Sequence, residues 1–405
     1  MNARLKAPTE RALSPAITFR GNVRATRHGW LRLTPAYSVE LVRQLLQQRS
    51  HADLPVLDPF CGTGTTLVAC AELGVACRTV DINPFLRWLA VAKSRPYSAA
   101  DVKKARALVG AMARAAAKGK RREWVPGLHQ IEKWWDEHTL SGLSRAFAEL
   151  GGKRGKARDL AALAFCRALI ALGNVSFAHQ SMSFRKRGAV GRGPEVAACL
   201  LHACEQLELG ASQELLGSDA RVLVGDSRQL ERLLPKESCG SVITSPPYAN
   251  RMSYIRELRP YMYWLGFLDD GKQAGALDWR AIGGTWGAAT SQLTTWQPEG
   301  TFELPKLTRL ARKIHAHSPI LARYVERYFH DMDRHVSGLS RVLARGGEAH
   351  YVVGNSKFFD VMVPAEQLFL ELFRRHGFER GRVRVLRRRT SKKELFEYLV
   401  SATRV

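Results

Sequence analysis

The sequence predicts an α/β fold built on a mostly parallel, twisted β-sheet. The apolar run LPVLDPF (54–60) is typical of a short strand, and CGTGTTLVACAEL (61–73) begins glycine-rich and continues with helical spacing. The run ACRTVDINP (76–84) predicts a second strand that ends in an acidic residue. Strand, glycine loop, helix and strand in this order form the first βαβ unit of a nucleotide-binding α/β fold.

This α/β pattern is interrupted once, because residues 96–217 carry alanine-rich helical segments and basic loops. Strand-like runs return at 220–230 and 240–248, and residues 380–405 predict two antiparallel strands around a basic loop. The sequence therefore divides into a basic N-terminal arm (1–26), an α/β domain (27–95 and 218–405) and a helical insertion (96–217).

The charge of the chain is strongly positive: Lys and Arg number 62, Asp and Glu 37, and the net charge is +25. Such a field attracts polyanions, and since no apolar run approaches the length of a membrane span, nucleic acid is the favoured partner. An arginine-rich proteome would give the same composition. We expect a cytoplasmic, prokaryotic protein, because the N-terminus lacks the apolar segment of a signal peptide.

The cysteine and histidine patterns predict no metal site. The seven cysteines include no CxxC pair, which indicates reduced thiols without structural zinc. His315 and His317 form a short HxH motif that has no third ligand nearby in sequence.

The glycine loop VLDPFCGTGTT (56–66) differs from phosphate-binding loops. Gly62 and Gly64 allow the backbone to approach a ligand closely, and the loop opens a helix whose free N–H groups face that ligand. The GK[ST] ending of a P-loop is missing, and Leu67 stands where a dinucleotide loop has its third glycine. Asp58, at the strand end, would repel a phosphate and suits an ammonium group.

Two further acids end strands. Asp81 can accept hydrogen bonds from both hydroxyls of a ribose, and Asp226, in the sequence GDS, can accept from an exocyclic amine. A ligand with an ammonium group, a ribose and an adenine but no phosphate is S-adenosylmethionine, which is therefore the predicted cofactor.

These motifs resemble those of the amino-group DNA methyltransferases. DPFCGTGTT (58–66) is similar to the cofactor motif of that family and TSPPY (244–248) to its catalytic motif, in the variant with serine that is typical of the N4-cytosine branch. The resemblance covers about 27–95 and 218–405 and implies a Rossmann-like methyltransferase fold with a helical insertion and a C-terminal antiparallel hairpin. The cofactor residues it implies are Tyr37, Asp58, Phe60, Gly62, Gly64, Thr65, Asp81 and Asp226; the segment with Tyr37 is equally compatible with a plain helix N-terminus.

The rigid turn TSPPY supplies the predicted catalytic residues Ser245, Pro246, Pro247 and Tyr248. The amine of cytosine is a poor nucleophile because its lone pair is delocalised into the ring. The Ser245 hydroxyl and the Pro246 carbonyl can accept its hydrogens and so localise that lone pair, and the prolines fix φ. Tyr248 offers a face for an extruded base, worth roughly 1–3 kcal/mol. We expect a direct displacement without a covalent enzyme intermediate.

Contacts to nucleic acid are predicted in three places. Arg251, Tyr254 and Arg256 follow the catalytic motif and suit a phosphate, the target base or a solvated helix face equally well. The insertion is the leading candidate for target recognition, with a second candidate at 270–318 that contains Trp286. The basic loop of the insertion includes Arg185, Lys186 and Arg187.

The sequence thus predicts an enzyme, a site-specific DNA methyltransferase that acts on N4 of cytosine in duplex DNA by base flipping. Three alternatives stay open: an N6-adenine methyltransferase of the same fold, a methyltransferase of structured RNA, and a nucleic-acid-binding module without activity. We expect any cognate restriction endonuclease to be a separate protein, because the chain has no evident nuclease signature.

Overall fold

A computed structural model of the chain describes residues 21–22, 26–31, 37–118, 123–176, 183–184, 193–217, 219–285, 288–300, 302–389 and 394–405. The predicted contact residues Arg185, Lys186, Arg187 and Trp286 lie outside these ranges. Among the residues so described, no helix combines the length and the apolar character that crossing a membrane requires.

The strands of the described residues follow the order that the sequence predicts for the α/β domain. They are β1 (Val56–Asp58), β2 (Cys77–Asp81), β3 (Val175–Ser176), β4 (Ser183–Phe184), β5 (Ala220–Val224), β6 (Cys239–Thr244), β7 (Leu343–Gly354), β8 (Ser356–Phe358), β9 (Val361–Val363), β10 (Phe378–Arg388) and β11 (Phe396–Arg404).

One seven-stranded sheet has the order β5-β2-β1-β6-β7-β11-β10. The strands from β5 to β7 run parallel to one another, whereas β11 runs antiparallel to β7 and to β10. The fold class predicted from the sequence is therefore confirmed: the sheet is mostly parallel and ends in an antiparallel C-terminal hairpin.

Helices connect these strands. They are α1 (Val39–Gln47), α2 (Thr65–Glu72), α3 (Pro84–Ser94), α4 (Ala99–Ala117), α5 (Ile131–Trp134), α6 (Glu137–Ala148), α7 (Lys156–Ala171), α8 (Gly193–Ala211), α9 (Tyr254–Trp264), α10 (Gly271–Arg280), α11 (Ala288–Leu293), α12 (Pro305–His315), α13 (Pro319–Val342) and α14 (Ala365–Arg375), with a 3₁₀ helix at Ser227–Arg232.

Local sequence explains where the helices near the site begin. Ser38 caps α1, and its side chain accepts from Leu41 N. Asn83 caps α3, whose first residue is Pro84, the position at which proline costs no hydrogen bond. Gly64 precedes α2 with φ +77°, a left-handed conformation that only glycine adopts at little cost.

Both faces of the sheet are buried, because neighbouring residues of a strand point to opposite sides. Ile243 and Val352 pack with the α1 and α2 side chains on one face. Val242 and Val353 pack with the α13 and α14 side chains on the other. The strand ends are consequently the part of the sheet that can bind a ligand.

The helices of the insertion share one apolar core with α3 and α9. Trp264 of α9 contacts the rings of Trp135 and Phe165, at centroid distances of 6.0 and 5.3 Å. The insertion therefore packs against a helix of the α/β domain that begins only a few residues after the TSPPY turn.

A buried arginine fixes residues 26–31 to this core. The guanidinium of Arg27 donates to the carbonyls of Lys93 and Arg95 at the end of α3, at 3.2 and 2.7 Å. It also donates to the carbonyls of Ala211 and Gln213 after α8, at 3.3 and 3.1 Å. A single cation thus ties the N-terminal segment to both the α/β domain and the insertion.

Candidate active site

The candidate site lies at the carboxyl end of the central strand β1, which has a parallel strand on each side. The neighbours of β1 are β2 on one side and β6 on the other, both parallel to it. In open α/β sheets, ligands bind outside the carboxyl ends of the strands at such a switch point. The residues that follow β1 and β6 are the glycine loop and the TSPPY turn, so the structure brings the two predicted motifs to one edge.

Asp58, the last residue of β1, connects the two motifs directly. Its Oδ1 accepts from the Thr244 hydroxyl at 2.6 Å and from Phe60 N at 3.1 Å. Its Oδ2 accepts from the Tyr37 hydroxyl at 3.2 Å. The side chain is fully buried, and this burial raises the pKa of Asp58 to about 6 despite the donors around it.

Asp58 was predicted to face the ammonium group of a ligand, and the structure instead surrounds both of its oxygens with donors of the protein. Tyr37, also predicted to contact the cofactor, is buried beneath the loop, where its hydroxyl bonds Asp58 and Thr66. Both residues therefore shape the floor of the site.

The glycine loop was predicted to approach a ligand closely, and the structure shows a close approach of Gly64 to helix α3. Gly62 has φ +50°, and a side chain on Gly64 would begin 3.2 Å from the Cα and Cβ atoms of Ala90 in α3. Thr65, predicted to bind the cofactor, is buried at the first position of α2, with its hydroxyl 3.2 Å from that of Thr63. A β-carbon at Gly64 would therefore require α3 to shift by a few tenths of an ångström, and its positive φ would strain any other residue.

Asp81, at the end of β2, faces the same loop. Its carboxylate accepts from Gly62 N at 2.9 Å and from Asn83 N at 2.8 Å. Burial raises the pKa of Asp81 to about 6. The side chain is only half-buried, so the carboxylate has room to accept further donors from a bound molecule.

Asp226, the third predicted acid, is engaged by an arginine that the sequence reasoning missed. The Arg228 guanidinium donates to Asp226 Oδ2 at 2.6 Å and to Asp331 Oδ1 of α13 at 2.9 Å. Burial alone would raise the pKa of Asp226, but hydrogen bonding to Arg228 and its charge outweigh burial and hold that pKa below its usual range. Asp226 is therefore ionised and paired within the protein.

Phe60 belongs to the glycine loop, and its ring faces α13. Its half-buried ring is 4.8 Å from the ring of His335, measured between centroids. His335 is neutral, because burial lowers its pKa to about 4. It donates through Nδ1 to the Ser227 carbonyl at 2.9 Å, and its Nε2 accepts from the Tyr351 hydroxyl at 2.6 Å.

The TSPPY turn is held by hydrogen bonds from neighbouring elements. The Ser245 hydroxyl donates to the Val352 carbonyl of β7 at 3.0 Å, which leaves the lone pairs of its oxygen to accept from a ligand. The Pro247 carbonyl accepts from the Tyr328 hydroxyl of α13 at 2.6 Å. Pro246 is buried between them, and its carbonyl accepts no hydrogen bond from the described residues.

Two of the three predicted nucleic-acid contacts that follow the turn are close to it. The Tyr254 hydroxyl accepts from Tyr248 N at 3.4 Å, and Arg251 N donates to the Tyr324 hydroxyl at 3.0 Å. Arg251 is exposed and has φ +61°. Arg256 lies in the first turn of α9, where its backbone N donates to the Ser253 hydroxyl at 3.1 Å.

Sequence reasoning did not find Tyr324 and Tyr328, which hold the turn from α13. A signal was available: the two residues are four apart in ARYVERYF, so a helix places them on one face. The backbone atoms that these two hydroxyls bond, on the other hand, could not be predicted without the fold.

The glycine loop and the TSPPY turn lie at the carboxyl ends of neighbouring parallel strands, and the part of the chain around the loop is similar to a known family. Residues 21–91, which contain the glycine loop, match the model of the family N6_N4_Mtase, described as DNA methylase. The resemblance of this part of the sequence to the amino-group DNA methyltransferases is therefore confirmed.

Two proteins with similar sequences are named as Type II methyltransferases. The chain is 32% identical over 69 residues to the Type II methyltransferase M.AvaI of Nostoc sp., which is 17% of this chain and 14% of that protein. It is 37% identical over 65 residues to M.MjaII of Methanocaldococcus jannaschii, which is 16% and 12% of the two chains. The similarity thus spans only about a seventh of the relatives' own length.

Among solved structures, the rRNA methyltransferase aviRa of Streptomyces viridochromogenes aligns with 95% of this chain and 96% of its own, at 13% identity and a TM-score of 0.29. A TM-score this low does not establish a common fold.

Replacing Thr244 by valine tests the connection between the two motifs. The substitution removes the hydroxyl that donates to buried Asp58, so we expect the free energy of unfolding to fall by about 2 kcal/mol. Thr79→Val is the matched control, because Thr79 is equally buried on the other neighbour of β1 and its hydroxyl bonds no carboxylate among the described residues. Urea denaturation of both variants measures the difference, and equal effects would show that the Thr244–Asp58 contact has no special role.

Proposed function

We propose that the protein is a DNA methyltransferase that uses S-adenosylmethionine and methylates an exocyclic base amine, N4 of cytosine. The observation that carries this proposal is the hydrogen bond between Thr244 and Asp58, which holds the TSPPY turn beside the glycine loop. A methyl donor on the glycine loop and an acceptor amine at the TSPPY turn would consequently be close enough for the methyl group to pass directly from one to the other.

The residues on the glycine loop fit the proposed cofactor. Asp81 has a half-buried carboxylate with room for the hydroxyls of a ribose, and Gly62 leaves space that a side chain would occupy. Phe60 offers a half-buried aromatic surface next to Ser227 and His335, which suits an adenine. The cofactor would supply an electrophilic methyl group on a sulfonium.

The TSPPY turn would supply the acceptors that activate the amine. Ser245 has its proton directed at Val352, so its oxygen can accept one hydrogen of the base amine. The Pro246 carbonyl can accept the other hydrogen. Because Tyr328 and the prolines fix the turn, these acceptors need little reorganisation when the amine loses conjugation with its ring.

The serine at Ser245 supports cytosine over adenine as the target, and the family model that matches residues 21–91 accommodates both amine positions. Incubating the protein with unmethylated plasmid DNA and S-adenosylmethionine, followed by mass spectrometry of the nucleosides, distinguishes them. N4-methylcytosine is the expected product. N6-methyladenine would overturn the choice of base, methylation of RNA alone would overturn the substrate, and cofactor binding without any transfer would favour an inactive binding module.

Ser245→Ala tests the assigned role of the hydroxyl. The variant loses one acceptor that acts only when the amine reacts, so we expect kcat to fall roughly 100-fold. The Kd for S-adenosylmethionine should stay within about twofold, because Ser245 does not belong to the glycine loop. Titration calorimetry and methyl-transfer assays measure the two quantities, and an equal loss of both would contradict this role.

Cofactor affinity should decrease as the pH falls through about 6. The pKa of Asp81 is raised to about 6, so its carboxylate is ionised at neutral pH and protonates below that value. A protonated carboxyl is a weaker acceptor for ribose hydroxyls and does not attract a cationic ligand. Titration calorimetry with S-adenosylmethionine at about pH 5 and about pH 7 should show roughly tenfold weaker binding at the lower pH.

Asp81→Asn is the matched variant for this pH dependence. It should bind the cofactor more weakly at neutral pH and lose part of the pH dependence, since Asp58 also has a pKa of about 6. Unchanged affinity of the unmodified protein down to about pH 5 would show that Asp81 does not contact the ligand.

The contact surface for DNA is proposed on α12 and the beginning of α13. Tyr328 bonds the TSPPY turn, and α13 begins nine residues before Tyr328. The N-terminal end of this helix therefore lies about 14 Å from Tyr328 along the helix axis. α12 packs against α13 and β9. Near this end of α13, His317 stacks on Phe359 with ring centroids 4.8 Å apart.

The outer face of α12 is basic. Arg309, Arg312 and Lys313 are exposed opposite the buried residues of the helix, and its sequence PKLTRLARKIH contains no acid. No described acidic residue forms an ion pair with these three cations. They are therefore free to contact phosphates beside a base that reaches the TSPPY turn.

Two triple variants decide between α12 and the insertion. Replacing Arg309, Arg312 and Lys313 by alanine should weaken duplex binding and lower the slope of log K against log salt by about 2 to 3. Replacing Lys153, Arg154 and Lys156 of the insertion should change neither quantity. Fluorescence anisotropy over a salt series measures both, and the reverse pattern would place the contact surface on the insertion.

A further inference from the structure

The hydroxyl of Tyr248 is held by the C-terminal hairpin. It donates to Oε1 of Glu397, the second residue of β11, at 2.8 Å. Burial, and next the charge of Glu397, raise the pKa of Tyr248 well above its usual range, so the hydroxyl remains a donor. Hydrogen bonds to an ionised acceptor are shorter and about twice as strong as those between neutral groups.

Glu397 is in turn fixed by an arginine on the next strand. Arg387 of β10 donates to Glu397 Oε2 through Nε at 2.7 Å and to Oε1 through Nη2 at 3.2 Å. The two residues are direct cross-strand partners, and the register of the hairpin shifts between Val385 and Arg387. Such an irregularity redirects the side chains that follow it, here toward the edge of the sheet where Tyr248 lies.

The ring of Tyr248 lies against the backbone of β7. A β-carbon on Gly354 would be 2.9 Å from Cδ2 and Cε2 of the ring, so only glycine permits this contact. Gly354 is the cross-strand partner of Glu397. The ring therefore crosses β7 at Gly354 and reaches the carboxylate on the adjacent strand.

The guanidinium of Arg389 also lies near the ring of Tyr248. It lies 5.6 Å from the ring centroid, and its Nη1 donates to the Asn355 carbonyl at 3.1 Å. A β-carbon on Gly354 would also be 3.2 Å from Nη1 of Arg389, so the glycine and the guanidinium adjoin each other beside the ring. This arrangement leaves the ring little freedom to rotate.

We propose that Glu397, oriented by Arg387, is a positioning residue that fixes the plane of Tyr248 for stacking of the target base. The inference rests on the proposed function, because it assigns to Tyr248 the base-stacking face. It adds that the C-terminal hairpin sets the geometry of the catalytic turn from a position 149 residues away in sequence. The hydroxyl itself takes no part in the transfer.

The test compares Tyr248→Phe, Glu397→Ala and the double variant. Phenylalanine keeps the stacking face and loses the anchor, so each single change should lower kcat for methyl transfer to unmethylated plasmid DNA roughly tenfold. The double variant should be no worse than either single one within about twofold, because both remove the same constraint. KM for S-adenosylmethionine should stay unchanged. Glu397→Gln, which keeps an acceptor for Tyr248, should lose less than Glu397→Ala.

Glu348→Gln is the matched control. Glu348 lies on the same sheet and accepts from Arg382 at 2.9 Å, and among the described residues it makes no hydrogen bond with Tyr248. This variant should retain the activity of the unmodified protein. An equal loss from Glu348→Gln, or a further loss when Glu397→Ala is added to Tyr248→Phe, would overturn the positioning role.

A urea-denaturation cycle without DNA keeps this inference separate from the proposed function. The effects of Tyr248→Phe and Glu397→Ala on the free energy of unfolding should be non-additive. The ratio of folded to unfolded protein should be about fivefold higher in the double variant than the two single effects predict. Additive effects would show that the Tyr248–Glu397 contact is not formed. Non-additive effects would show that the Tyr248–Glu397 contact is formed. If the unmodified protein nevertheless transferred no methyl group to DNA, the proposed function would be rejected while the contact would stand.

Discussion

The site depends on one physical constraint: a buried carboxylate needs donors around it, and Asp58 obtains them from different parts of the chain. Its donors are the hydroxyl of Thr244 at the end of β6, the hydroxyl of Tyr37 before α1, and the backbone of its own loop. Leaving any of these donors out would expose an ionised group to a medium that does not solvate it. The glycine loop and the TSPPY turn are consequently fixed relative to each other by contacts within the protein.

A second layer of support comes from tyrosines. Tyr328 and Tyr324 of α13 and Tyr254 of α9 each place a hydroxyl on a backbone atom of the segment 247–251. Their rings are anchored in buried packing, so they hold the irregular backbone in place without adding charge near the reacting groups. Buried tyrosines therefore hold the TSPPY turn in place and also make its surroundings largely apolar.

The sequence was sufficient to predict the fold class. Glycines followed by helical spacing, acids at strand ends and prolines after an apolar run are local signals, and they correctly predicted β1, β2, β6 and the C-terminal hairpin. The cofactor and catalytic roles given to individual residues stay predictions. The family resemblance predicted Asp58 and Tyr37 for the same site, although it could not indicate that the two side chains bond each other.

The partners that sequence reasoning missed are those supplied across long separations. Arg228 neutralises Asp226 and then reaches Asp331 on α13, and Glu397 reaches Tyr248 from the last strand. Nothing in a basic or acidic residue on its own indicates which distant group it will face. The shared core of the insertion with α3 and α9 is likewise a property of packing, and helical periodicity alone cannot reveal it.

The most direct measurement is a crystal structure of the protein with S-adenosylmethionine or a stable analogue. We expect that the ribose contacts Asp81 and that the transferable methyl points at the space between the Ser245 hydroxyl and the Pro246 carbonyl, about 3 to 3.5 Å from where an amine nitrogen would sit. A ligand bound in another cleft, or one whose methyl points away from the TSPPY turn, would contradict the central claim. That claim is that Asp58 holds a binding site for the methyl donor next to a binding site for the acceptor amine.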